Sequence, residues 1–138
     1  MTNKLPSLIA AQMASPCIVQ LTWNDRVTSS LDLSDVLPNT ATEPKIEDWG
    51  HTLTFDGTDK DFSAPGLYKR AAWQDGRSPK PDDFRAWRKK IGMTQEQLAA
   101  ALDLSRRTIG YYEDGTQLVP RVVLLAMKGL KREIGAAA

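Results

Sequence analysis

The sequence predicts an α+β chain in two parts, a small N-terminal α+β domain followed by a bundle of four to five short helices. Three observations carry this. Across residues 17–33, β-branched and other apolar residues alternate, whereas after Pro81 they recur at helical spacing. The stretch RSPKPDD, Arg77 to Asp83, lies between the two patterns and reads as a boundary. Charge divides at the same place: residues 1–81 carry eight Lys/Arg and ten Asp/Glu, a net −2, and residues 82–138 carry ten and seven, a net +3. The overall charge of +1 therefore hides an acidic half and a basic half.

Composition narrows the function classes. At 138 residues, 41% hydrophobic and 25% charged, the chain suits one ordinary domain or two very small ones and has little room for a deep catalytic cleft. A single cysteine, Cys17, and a single histidine, His51, exclude a disulfide framework and a Cys/His zinc cage within one chain. A nucleophile and base pair from Cys17 and His51 is the catalytic arrangement to weigh, but lone residues of these types more commonly serve as a buried small hydrophobe and a surface group. No enzymatic activity, cofactor or metal is expected. Asp56, Asp59 and Asp61 have the closeness of a calcium loop, yet no closing Glu follows, and turn chemistry accounts for Asp56-Gly57. No apolar run approaches the roughly 20 residues that span a bilayer, so a cytoplasmic location is expected.

Along the acidic half, residues 1–15 read as a flexible tail, because Pro6 and Gln12 interrupt the apolar stretch. Residues 16–75 form the small α+β domain. Ile18, Val19, Leu21 and Trp23 lead into Asn24-Asp25-Arg26, and apolar spacing resumes from Val27 to Leu33, which predicts a two-strand hairpin. A helical turn over Leu33–Leu37 stops at Pro38, and Asn39 to Pro44 is a polar loop. His51 to Phe55 is a third strand, and Leu67 to Trp73 a short amphipathic helix after Pro65-Gly66. The tryptophans at 23, 49, 73 and 87 are expected to be core and interface anchors.

Residues 76–81 read as a linker, residues 82–134 as the helical domain and 135–138 as a C-terminal tail. Phe84, Trp87 and Ile91 share one helical face, ended by Gly92. Thr94 and Gln97 form a capping box for a second helix that buries Leu98, Ala99 and Leu102. Ser105 caps a third helix, which turns Ile109 and Tyr112 inward, leaves Tyr111 outward and stops near Gly115. After Pro120, residues Val123, Leu124, Met127 and Leu130 supply a fourth apolar face. Only Asp103-Leu104 joins the second and third helices, which forces a steep crossing of the helix-turn-helix kind.

Two family resemblances accompany this reading. In the acidic half, LTWNDR, LDLSDVL, the strand-turn-Asp that follows and the LYKRAA helix resemble the DUF2442 domains over roughly residues 16–73. The differences are Arg26, where that family usually has Gly, and Phe55, where it has Trp. In the basic half, T-Q-x-x-L-A-x-x-x-L-x-x-S-x-x-T-I-x-x-Y-E-x-G is similar to the helix-turn-helix domains of the XRE (Cro and C1 repressor-like) family over residues 82–130. Asp103 stands where that family commonly has Gly in the turn.

The second resemblance implies binding to double-stranded DNA, with the helix from Ser105 to Asp114 in the major groove. Ser105, Arg106, Arg107 and Tyr111 would then face base edges, since an arginine fork matches guanine O6 and N7. Gln95 would meet phosphate from a positive helix end, Thr116, Gln117 and Arg121 would touch the flanking backbone, and Gly110 would leave space for the sugar-phosphate wall. Because +3 is a modest charge, a homodimer on paired half-sites is expected. Its surface would be either the apolar excess between Arg121 and Leu130 or, preferred here, the strand edges of the acidic half. The expected function is a sequence-specific bacterial or phage transcriptional regulator, with a protein partner or small ligand for the N-terminal domain. The alternative is an antitoxin-like protein that neutralises a partner through that domain and autoregulates on DNA.

Overall fold

In the computed structural model, which describes residues 5–137, the chain divides into two units, Met1–Gln74 and Asp75–Ala138. Unit 1 is organised by the hairpin that alternation predicts. Val19, Leu21 and Trp23 of strand β2 (Ile18–Trp23) are fully buried, as is Leu31 of β3 (Thr28–Asp32), and the two strands pair antiparallel with Leu21 opposite Ser29. Their connection holds Arg26 at φ 70°, a left-handed conformation that costs a residue with a Cβ about 1–2 kcal/mol. Asp25 supports the turn by accepting the backbone N–H of Val27 at 2.9 Å.

Strand β1 (Leu8–Ser15) completes a sheet of order β1-β2-β3. The expected flexible tail over residues 1–15 is thus corrected: residues 8–15 are strand, and residues 1–4 lie outside the described residues. The cause of the misreading is local. Leu8, Ala11 and Met13 face the core, and the register shifts between Leu8, opposite Trp23, and Ala10, opposite Thr22. Ile9 is the extra residue of a β-bulge, so the inward spacing runs three and then two and matches no regular period.

A second antiparallel sheet, order β4-β5-β6, is built from β4 (Pro44–Glu47), β5 (Thr52–Phe55) and β6 (Asp61–Ser63). The third expected strand is β5, starting one residue after His51. Strands β4 and β6 each turn one large apolar side chain toward the core, Ile46 and Phe62, too few for a period to register. Helix α1 (Ala64–Gln74) begins three residues before the expected Leu67 and buries Leu67 and Ala71. Gly57 has φ 86°, and a Cβ there would stand 2.0 Å from the Thr40 carbonyl oxygen, so the close approach of the two loops requires glycine. Beside it Asp56 pairs with Lys45 at 3.0 Å, and no group of three or more His, Cys, Asp or Glu suited to a metal occurs among the described residues.

Trp23 is the core anchor expected of it, with its ring edge-on to Tyr68 at 5.2 Å. Trp49 is not. It lies 95% exposed on a 3-10 turn, Asp48–Gly50, with left-handed φ and ψ of 54° and 37°. Cys17 is buried and its Sγ donates to the Leu37 carbonyl oxygen at 3.2 Å, whereas His51 is exposed at the end of that 3-10 turn.

Unit 2 holds the four expected helices: α2 (Pro81–Lys90), α3 (Gln95–Leu102), α4 (Arg106–Asp114) and α5 (Arg121–Ala137). Phe84, Leu98 and Ile109 are fully buried at its centre, with Tyr112, Val119, Val123 and Met127 around them and the Phe84 and Tyr112 rings 5.5 Å apart. Helix α2 starts with Pro81 in its first turn followed by Asp82 and Asp83, and ends in Arg88, Lys89 and Lys90, charges that complement the helix dipole at both ends. The expected linker, residues 76–81, departs from a passive connection: Ser78 is 3% exposed, and its hydroxyl accepts the Val119 N–H at 3.0 Å. The expected C-terminal tail, residues 135–138, is also corrected, since α5 continues through Ala137; Ala138 lies outside the described residues. Among the described residues, no helix is long and apolar enough to cross a membrane.

Candidate nucleic-acid interface

The interface is set by how α3 and α4 are started and joined. The Thr94 hydroxyl accepts the Gln97 N–H at 3.1 Å while the Gln97 side chain accepts the Thr94 N–H at 3.0 Å, the reciprocal bonding of a capping box. Asp103 closes α3 with φ 57° and ψ 44°. The Leu104 N–H then reaches back to the Ala99 carbonyl at 2.8 Å, a Schellman-type ending that turns the chain within two residues. Ser105 caps α4 at once, its Oγ accepting the Thr108 N–H at 3.1 Å.

Helix α4 is sharply two-sided. Ile109, Tyr112 and Glu113 are buried, while Arg106, Arg107, Gly110, Tyr111 and Asp114 lie on the opposite face and, with Gln95, line an open groove of about 420 Å³. The positions i, i+1, i+4, i+5 and i+8 fall on one side of a helix of 3.6 residues per turn. A Cβ on Gly110 would meet nothing within 4 Å, so the groove floor is open there.

A charged network fixes this helix from behind. Glu113 is 4% exposed. Arg88 Nε donates to its Oε2 at 2.7 Å, Arg88 Nη2 to its Oε1 at 3.1 Å, and Gln95 Nε2 to the same Oε1 at 3.2 Å. Arg85 Nε stands 3.5 Å from Oε1, and Arg88 Nη1 donates to the Met93 carbonyl at 2.9 Å. Burial pushes the Glu113 carboxyl up, but the Arg88 hydrogen bond, the Gln95 hydrogen bond and the Arg88 charge together hold it below the usual carboxylate range. The same hydrogen bond raises Arg88. The helix-turn-helix angle is thereby tied at three points, on α2, at the start of α3 and at the end of α4.

The sequence-predicted site residues occupy this surface in different ways. Gln95, Arg106, Arg107 and Tyr111 share the groove. One amide N–H of Gln95 is committed to Glu113, so its side chain serves the network as well as the surface. Arg107 donates from Nε to the Tyr111 hydroxyl, its guanidinium carbon 5.5 Å from the centroid of the Tyr111 ring. Arg106 is exposed and has a 4.0 Å ion pair with Glu96. Ser105 is spent as the cap. Thr116 and Gln117 are exposed after Gly115, the Gln117 N–H bonded to the Tyr111 carbonyl at 3.3 Å, and Arg121 is exposed at the start of α5. Sequence reading missed Glu113, Arg88 and Arg85 as a unit. The available signal was Glu113 beside Tyr112 on a face otherwise turned inward, where a lone carboxylate demands a partner.

Residues 84–131 match the family model of the helix-turn-helix. The structure of "Putative DNA Binding Protein NE0471" from Nitrosomonas europaea ATCC 19718 is similar at 22% identity and a TM-score of 0.46, over 91% of this chain and 86% of that one. No curated protein matches the chain.

Proposed function

We propose that the chain is a sequence-specific DNA-binding transcriptional regulator that reads the major groove with α4. The observation that carries this is the outward face of α4, where two arginines and a tyrosine flank an open groove on a helix capped at its N-terminus and locked from behind. Arg106 and Arg107 address base edges, with Ser105 at the helix start and Tyr111 holding Arg107 from the same face. Gln95, Thr116, Gln117 and Arg121 ring them at positions suited to phosphate. The reading predicts that the full chain binds a duplex selected from random DNA about 10³-fold or more tighter than a scrambled duplex at the same salt. Equal affinities for both would contradict it.

A homodimer fits the same reading, because one small helix-turn-helix offers few reading side chains. Val122 is 72% and Leu125 53% exposed on α5, with Ala126 and Gly129 on the same face. That stripe favours α5 over the strand edges of unit 1 as the two-fold contact, with half-sites about 10 base pairs apart or a multiple. Sedimentation of the full chain and of Leu125→Glu tests it, since dimerisation through α5 requires the variant to become monomeric. The second reading, an antitoxin-like protein that neutralises a partner through unit 1, is favoured by Trp49, a strained and exposed aromatic of the kind that anchors protein interfaces.

A further inference from the structure

We propose that Tyr111 is a positioning residue for Arg107, and that the pair makes Arg107 a guanine-selective fork while Arg106 remains an adjustable contact. This rests on the DNA reading above and adds which arginine specifies a base and how. Residues 107 and 111 are one helical turn apart, so their side chains meet on the α4 surface. The Tyr111 hydroxyl accepts from Arg107 Nε, and the guanidinium carbon lies 5.5 Å from the ring centroid, beyond the hydroxyl edge. That hydrogen bond fixes the direction of the guanidinium and occupies its Nε donor.

The consequence follows from the donors of arginine. Its guanidinium has five N–H groups in a fixed fork, one on Nε and two on each Nη. With Nε held by Tyr111, the edge that presents Nε and a neighbouring Nη as a pair is closed. The end-on edge, Nη1 with Nη2, stays open, and its two parallel donors match the adjacent O6 and N7 acceptors of guanine. No other base offers two acceptors side by side in the major groove. Arg106 lacks any such constraint: its ion pair with Glu96 is 4.0 Å long, and both side chains are well exposed, 66% and 78%. A side chain left free in this way can follow phosphate or base as the DNA dictates.

The test uses the full-length protein and the duplex it selects from random DNA. Arg107→Ala first locates the position at which guanine preference disappears, and that guanine is then replaced by 7-deazaguanine, which lacks the N7 acceptor. For the wild type the replacement should weaken binding about 10-fold, since only the O6 half of the bidentate pair remains. Tyr111→Phe keeps the ring and removes the hydroxyl, and should reduce that ratio several-fold while thermal stability and binding to scrambled duplex stay unchanged. In the Arg107→Ala background, Tyr111→Phe should have no further effect on any duplex. An equal effect of Tyr111→Phe with and without Arg107, or an unchanged 7-deazaguanine ratio in Tyr111→Phe, overturns the positioning role while leaving the DNA reading intact. A full-length protein that selects no sequence at all overturns both.

Discussion

Arg88 on α2 and Glu113 on α4 meet through two parallel contacts of 2.7 and 3.1 Å, with the carboxylate side chain 3% exposed and the guanidinium side chain 12%. A buried pair of this geometry contributes little compared with apolar packing, but breaking it leaves a charge with no partner and no water. Its structural consequence is directional: the end of α4 is fixed against α2 and the start of α3, so the outward face of α4 is presented at one angle.

Removal of one partner should therefore be costly. Glu113→Ala is expected to destabilise unit 2 by about 3–5 kcal/mol, the range for stranding one member of a buried ion pair. Urea denaturation followed by circular dichroism measures it. A cost under about 1 kcal/mol, typical of an exposed pair, would show that the network does not fix the helices.

The pH dependence has a definite sign. Glu113 titrates below the ordinary glutamate value of about 4.3, because the folded protein favours its charged form. Its contribution to stability is fully present above that ordinary value and is lost as pH falls through the lower folded one. The stability gap between the wild type and Glu113→Gln should be constant from about pH 6 to 8 and should narrow below about pH 4. A gap that widened on acidification would contradict the carboxylate's role.

Asp103 is the costly residue of the turn. At φ 57° it holds a left-handed conformation that glycine adopts without penalty. Asp103→Gly should raise the stability of unit 2 by about 0.5–1 kcal/mol, with thermal unfolding as the measurement. A loss of stability would mean that the aspartate side chain contributes to the turn.

Unit 2 is expected to fold without unit 1. Its core, Phe84, Leu98, Ile109, Tyr112, Val119, Val123 and Met127, closes on itself, and Ser78 belongs to it through Val119. Circular dichroism of the fragment 75–138 should give a helical spectrum with a cooperative thermal transition. A random-coil spectrum would require unit 1 to complete the core.

The helical half was legible because its signals are local. Thr94 with Gln97, Ser105, Gly115 and the spacing of Phe84, Leu98 and Ile109 each specify a cap or a face within one or two turns. The β-rich half was legible where a period persists, over Val19, Leu21 and Trp23 and the strand opposite them, over Leu53 and Phe55 of β5, and in helix α1. Strand β1 escaped because the bulge at Ile9 breaks its period, and β4 because Lys45 and Glu47 flank a single apolar residue. The surface residues Arg106, Arg107 and Tyr111 could be placed from helical periodicity. The partnership of Arg88, Gln95 and Glu113 could not, because it joins three helices across 18 and 25 positions of sequence.

The central claim, that α4 reads DNA sequence, is tested most directly by titrating the wild type, Arg106→Ala and Arg107→Ala against the selected duplex and a scrambled one at fixed salt. The account predicts that Arg107→Ala loses about 1–3 kcal/mol on the selected duplex and much less on the scrambled one, whereas Arg106→Ala, the adjustable contact, weakens both. An equal loss on both duplexes for Arg107→Ala would mean that this arginine touches only phosphate, and would contradict sequence reading by α4.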